Sequence, residues 1–279
     1  GAYLSISLMK IPNLSIEAAY VTGAICAGKA VVLVSSAGGG LVLNLFAAVG
    51  ASLLGGLLVG ALVSALVLYG KVPHLLASIV TMGIGFGANL YLLGGSNMPL
   101  TGVHNPLALM PASTHPEVAM LGLLAACVCA LFFVFLRTQL GMSLAVYGNN
   151  PRFFAHYGIS TRYVVLTGMM LSNALAGLSG YLVAQTSGFV DINAGVGVAL
   201  FCITALVLGS GALRTKRVVT MVVPVIGLTA YCVLQQLLLK IGFNFKYFMV
   251  VQSIIVLAAL VTRYQKRSEH ELHNDHLGV

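Results

Sequence analysis

Eight apolar runs follow one another along this chain with only short polar joints between them. They cover 16–34, 41–68, 72–93, 118–136, 163–184, 195–213, 218–239 and 247–262. A helix needs about 20 apolar residues to cross a ~30 Å hydrocarbon layer, and these runs match that length. In lipid every backbone polar group must be satisfied within the protein, so continuous apolar runs must be helices, whereas a barrel strand would alternate. Charged residues make up 7% of the 279, against about 25% in an average soluble domain, which leaves too few to clothe a soluble surface. The fold class is therefore all-α, a polytopic transmembrane helical bundle. With the half-length apolar stub 2–9 it shows about 8–9 membrane segments. The chain opens on Gly1 without an initiator Met, and the expectation here is a missing beginning.

The net charge of +8 does not point to nucleic acid, because the basic residues sit at the ends of apolar runs. That placement fits the positive-inside rule. Arg137, Arg152 and Arg162, then Arg214, Lys216 and Arg217, then the tail with Arg263, Lys266 and Arg267, are expected inside. The segments 94–117 and 186–194, which lack Lys and Arg, are expected outside. Lys10 and Lys71 also fit the inside. The Pro-containing stretch 10–15 has a second reading, as a break within the membrane. Glycine is dense within the runs, and Gly56/Gly60 and Ala176/Gly180 are small-xxx-small pairs that let helix backbones approach closely. A weak internal repeat aligns 13–19 with 189–195, each opening an apolar run.

Several chemistries are excluded. The segment 23–30 nearly spells a phosphate-binding loop, but Ala30 stands where Ser or Thr must hold magnesium, and the segment lies in an apolar run. No nucleotide cofactor is expected, and ATP energy would have to come from another chain. The five cysteines all lie inside apolar runs without a C-x-x-C pair, so neither a disulfide framework nor a metal site follows. His270, His273 and His276 offer imidazoles at regular spacing, yet a solvated tail accounts for them. No catalytic constellation is visible, and no catalytic residue is assigned.

Polar groups near membrane depth are Glu17, Asn89, Asn173, Asp191 and Asn193. An ionisable or amide side chain there is a functional hypothesis by default. One reading makes these five the lining of a translocation path. The other makes Glu17 and Asp191 helix-start acids stabilised by the macrodipole. The longest interior watery segment is 140–162. Asn149–Asn150–Pro151 reads as a turn, with Pro151 at a first helical position. Arg152, Phe153, Phe154, Ala155 and Tyr157 then form a short helix stopped by Gly158. Such a helix lies on the membrane surface, inserts its aromatics into a partner groove, or merely connects.

The stretch from Ala145 to Ala184 resembles the signature of the permease subunits of ABC importers for branched-chain amino acids and ribose. The matching residues are Gly148, Asn150, Pro151, Ala155, Gly158 and Ile159, then Ala176, Gly177 and Gly180. The segments beginning at Ile11, Lys71 and Gly94 resemble a narrower subgroup linked to aromatic amino acids or uncharacterised. Asn13, Ser15, Ala18, Ala19 and Tyr20 depart from that subgroup's pattern, and the departures bear on the substrate. The resemblance implies one transmembrane permease domain over 1–279, with 137–163 a cytoplasmic coupling loop and 263–279 a cytoplasmic tail. It implies a multi-pass protein of the bacterial cytoplasmic (inner) membrane, in contact with lipid. Its partners would be cytoplasmic ABC ATPase subunits docking on the short helix, a second permease subunit, and an extracytoplasmic substrate-binding protein. The solute would be small and polar, an amino acid first. The alternative is an ion-coupled secondary transporter, which would need buried acids on several helices; only Glu17 qualifies.

Overall fold

The computed structural model describes residues 1–100, 116–150, 153–154, 160–212, 222–242, 247–258 and 261. The chain divides into two compact units, Gly1–Val198 and Ala199–Val279. In the first, a π-helical turn Tyr3–Leu8 leads to α1 (Ile16–Ser36), α2 (Leu41–Leu68) and α3 (His74–Leu93). A short strand β1 (Asn97–Pro99), α4 (Pro116–Leu136), α5 (Gln139–Asn149) and α6 (Thr161–Ser187) follow. The unit closes with β2 (Phe189–Asp191) and a 3₁₀ turn, Ile192–Gly195. The strands pair antiparallel, Asn97 opposite Asp191 and Pro99 opposite Phe189.

Among the described residues six helical segments are long and apolar enough to cross a membrane: Ile16–Ser36, Leu41–Leu68, His74–Leu93, Thr161–Ser187, Ile192–Ser210 and Val223–Lys240. The protein is thus a multi-pass, all-α membrane protein, with somewhat fewer spans described than the eight or nine expected. The end of α4, Ala126–Leu136, and α5 form a further pair bent by 75°. The bend has a local cause. Thr138 takes an extended conformation and caps α5 by accepting a hydrogen bond from Gly141 N. Gly141 has no β-carbon, so it lies against the backbone of Phe135 and Leu136. Among the described residues the final run holds an apolar helix, Phe248–Ala258.

The centre of the first unit is the crossing of α1, α2 and α6. In lipid there is little hydrophobic drive between helices, so close backbone packing must hold them. Gly23 of α1 abuts Gly177 of α6, and Gly56 and Gly60 of α2 abut the α6 backbone at Asn173–Ala174 and Met169–Met170. Gly180 lies on the Tyr20 carbonyl. Gly56 and Gly60 of one small-xxx-small pair and Gly180 of the other therefore sit at real helix crossings.

The apolar stub forms a π-helical turn, Tyr3–Leu8. After the π-helical turn the chain reverses at Lys10, whose φ of 56° is in the left-handed region. It then returns through Ile11–Leu14 to the start of α1. Non-helical backbone at membrane depth must be buried in protein. Here it is. Ser15 Oγ donates to Asn13 Oδ1 at 2.6 Å and lies 3.1 Å from Asn173 Oδ1. Ser172 Oγ bonds the Gly1 carbonyl at 3.0 Å and Ser5 Oγ at 3.1 Å. Ser172 and Asn173 stand near the middle of the 27-residue α6.

In the second unit, α7 (Val198–Ala212) and α8 (Val222–Lys240) cross at Gly209 and Gly227. Phe201 meets Tyr231 edge-on at 4.8 Å, and the Tyr231 hydroxyl accepts from Gln252 Nε2 at 2.7 Å.

Candidate functional site

The five residues proposed for a solute path fall in three places. Glu17 and Asn89 come together. They line one cleft of about 240 Å³, whose remaining wall includes Met82, Phe86, Ile192 and Val196. Glu17 is the acid in the first turn of α1, where the helix macrodipole favours negative charge. Its Oε1 also accepts from Gly197 N at 3.1 Å. Asn89 is 1% exposed, and its Oδ1 accepts from Thr22 Oγ1 at 2.9 Å. Its Nδ2 reaches the Ala18 carbonyl at 3.4 Å. The amide thus fixes α3 against the first turns of α1 while bordering the cleft.

Asn173 is elsewhere. It is fully buried and donates to the Met169 carbonyl at 2.9 Å while its Oδ1 faces Ser15. That is a fastening role between α6 and the start of α1. Asn173→Leu should lower the melting temperature in detergent, because it strips a buried hydroxyl of a neighbour, a loss of about 1–3 kcal/mol. An unchanged melting temperature would contradict the fastening role. Asp191 accepts from Asn193 N at 2.9 Å and caps the 3₁₀ turn. With its amide turned to donate, Asn97 reaches Asp191 Oδ1 at 3.2 Å across the strand pair. Asp191 borders a second, smaller cavity of about 140 Å³ beside Tyr20, Gly180 and Phe189. Asn193 is exposed at the surface of that turn.

The segments aligned as a weak repeat, 13–19 and 189–195, sit side by side. Gly195 lies against the Glu17 carbonyl, and a β-carbon there would come 2.5 Å from it. Both segments break the chain ahead of a helix, and both contribute to the cleft.

The watery segment is more ordered than its sequence implies, since 139–149 is helical. Asn150 begins a turn, with Phe153 N donating to the Asn150 carbonyl at 3.1 Å. Phe154 is 5% exposed and belongs to the core cluster of Leu4, Met9, Ile11, Val63 and Leu144. Phe153 is 41% exposed and stands edge-on to Phe154 at 5.7 Å. Pro151, Arg152, Ala155, Tyr157 and Gly158 lie outside the described residues, as do Arg214, Lys216, Arg217 and the tail 263–279 with its histidines.

Sequence reasoning missed Lys10, Asn13, Ser15 and Thr22 as participants. A signal was there: polar side chains within an apolar neighbourhood face protein rather than lipid, but the spacing does not name their partners.

The family model described as branched-chain amino acid transport system, permease component, matches residues 1–260. The tyrosine transport system permease protein of Clostridioides difficile (strain R20291) is 30% identical over 209 residues, 75% of this chain and 67% of that protein. The galactofuranose transporter permease protein of Escherichia coli (strain K12) is 29% identical over 246 residues, 86% of this chain and 69% of that one. An autoinducer 2 import system permease protein of Escherichia coli (strain SMS-3-5 / SECEC) is 29% identical over 160 residues, 57% of this chain and 46% of its own length. No solved structure matches the chain. The family model covers nearly the whole length and the relatives are permease proteins of transport systems: this chain belongs to the branched-chain amino acid transport permease family.

Proposed function

We propose that the chain is the permease subunit of an ATP-driven ABC importer in a bacterial cytoplasmic membrane, and that it passes an amino acid with an apolar or aromatic side chain. The observation that carries the reading is the cleft at the start of α1. It holds one carboxylate and one amide among Met82, Phe86, Ile192 and Val196. A carboxylate recognises an ammonium group, and the apolar wall suits an apolar side chain. A sugar, with hydroxyls all round, would leave polar groups unpaired against that wall, at a cost of about 1–3 kcal/mol each. The volume of about 240 Å³ is below the ~300 Å³ where drug-sized pockets begin, which suits a small solute. The tyrosine transport relative supports an amino acid and makes L-tyrosine the first probe.

The loop at Asn150–Gly158 faces the cytoplasm in this reading and receives the ATPase. Two permease subunits form the path, and a binding protein delivers the solute from outside. The subunit carries no catalytic residue of its own; the ATPase partner hydrolyses ATP.

Uptake of radiolabelled L-tyrosine into cells expressing the complete transporter tests this. Uptake should stop on ATP depletion and survive collapse of the ion gradients; the reverse pattern would make the protein an ion-coupled carrier. Glu17→Gln keeps an acceptor for Gly197 N but loses the charge. A charge-assisted bond is worth about 1.5–3 kcal/mol, so tyrosine uptake should fall roughly tenfold or more. Uptake at the wild-type rate would remove Glu17 from the path.

A further inference from the structure

Gly83, Gly85 and Gly87 alternate along α3, and their surroundings differ. A β-carbon on Gly85 would come 2.6 Å from the Ala18 β-carbon, so this glycine lets α3 lie close on α1. A β-carbon on Gly83 or Gly87 would meet nothing within 4 Å. Packing therefore calls for glycine at 85 and not at the other two positions. The two open positions differ in what their open space belongs to. Gly83 is part of the wall of the Glu17–Asn89 cleft, with Met82 and Phe86, and Gly87 is not. Met82, Phe86 and Asn89 stand at i, i+4 and i+7, on one face of the helix. Gly83 is three residues before Phe86, so a side chain at 83 would neighbour Phe86 in that wall. The cleft has its volume of about 240 Å³ partly because residue 83 puts no side chain into it.

We propose that Gly83 is a specificity-determining residue: the room left by its missing side chain holds the bulk of the solute's apolar or aromatic side chain, while Glu17 takes the ammonium group. The proposal rests on the reading of the cleft as the solute's site, and it adds a size limit set at one position of α3. Glycine at 83 admits a ring. A branched side chain there closes the cleft to a ring and leaves the helix crossings untouched. Neither packing nor helix stability opposes the change, since valine ranks above glycine in a helix and here meets open space. One methylene more or fewer in an apolar pocket changes discrimination about 10–200-fold. Room lost at 83 should be recoverable by removing bulk from the neighbouring wall residue, Phe86, which is 47% exposed.

The test measures L-tyrosine uptake by cells expressing the complete transporter, with maximal rate and half-saturating concentration read separately. Gly83→Val should lower the maximal rate at least about tenfold, and Gly83→Ala should fall between it and wild type. Half-saturation should hold, because the delivering binding protein sets it. Yield and melting temperature in detergent should match wild type. Gly87→Val should transport at the wild-type rate. Phe86→Ala added to Gly83→Val should return most of the lost rate, which a merely structural defect would not allow. A wild-type maximal rate in Gly83→Val, or no recovery with Phe86→Ala, overturns the proposal alone. A lower melting temperature in Gly83→Val does the same, by placing packed atoms where the structure has open space. An equal loss in Gly87→Val also overturns it, by making the effect one of the helix and not of the cleft. Wild type that takes up no L-tyrosine, or Glu17→Gln at the wild-type rate, overturns the reading of the cleft and the proposal with it.

Discussion

Phe153→Ala should leave the protein folded and, with the loop as the proposed ATPase dock, weaken ATPase binding, while Phe154→Ala should damage the fold. The two side chains are adjacent and chemically identical, so the difference is one of burial. Phe154 is 5% exposed and packed among Leu4, Met9, Ile11, Val63 and Leu144. Truncating a buried phenylalanine removes its packing and leaves a cavity, at about 3–5 kcal/mol. Phe153 is 41% exposed. An exposed aromatic anchor at an interface contributes about 2–4 kcal/mol, so its loss should cut ATPase affinity roughly thirtyfold or more. A double variant would merge the two effects, since Phe153 rests edge-on against Phe154. The single variants are separated by melting temperature in detergent and by retention of ATPase on an immobilised permease. Phe153→Ala protein that keeps the ATPase at wild-type affinity would remove this residue from the docking surface. Phe154→Ala protein that melts with wild type would mean that Phe154 contributes nothing to the core.

This contrast marks where the sequence stops being readable. Membrane-length apolar runs dictate helices, because lipid offers no other way to satisfy a backbone. The all-α class, most spans and the glycine crossings follow from that. Burial within a two-residue aromatic pair does not follow, because it depends on which long-range partners arrive. Leu4, Met9 and Ile11 come from the far end of the chain. The same limit explains the polar residues. Glu17, Asn89 and Asn173 all read alike from the sequence, as amides or acids near membrane depth. Asn89 borders the cleft while Asn173 binds Ser15 across 158 positions of sequence. Nothing near residue 173 encodes that partner. The reversal at Lys10 was equally hidden: Lys10-Ile11-Pro12 permits a break but does not say that the chain turns back to α5.

Gly56→Leu should sharply lower the yield and melting temperature of the folded protein, and the reason joins the core to the cleft. A β-carbon on Gly56 would fall 2.7 Å from the Ala174 Cα and 2.8 Å from the Asn173 carbonyl carbon. These are backbone atoms, which do not step aside as a flexible side chain would. Gly177 is pinned from two directions, by Gly23 of α1 and by Ser52 and Gly56 of α2. Overpacking a core ordinarily costs about 1–3 kcal/mol, and forcing two backbones apart lies at or beyond the top of that range. Gly50 supplies the internal control on the same helix, since a β-carbon there meets nothing within 4 Å. Gly50→Ala should be neutral or stabilising by up to about 1 kcal/mol, the helix-propensity gain. Yield and melting temperature in detergent read both variants; equal behaviour would show that the crossing tolerates separation. Gly56→Ala, the smallest addition, should be intermediate and the most informative. It pushes on Asn173, whose Oδ1 faces Ser15 at the start of α1, two residues before Glu17. Protein that survives this change should therefore lose transport out of proportion to its loss of stability, because the displacement is passed to the carboxylate in the cleft.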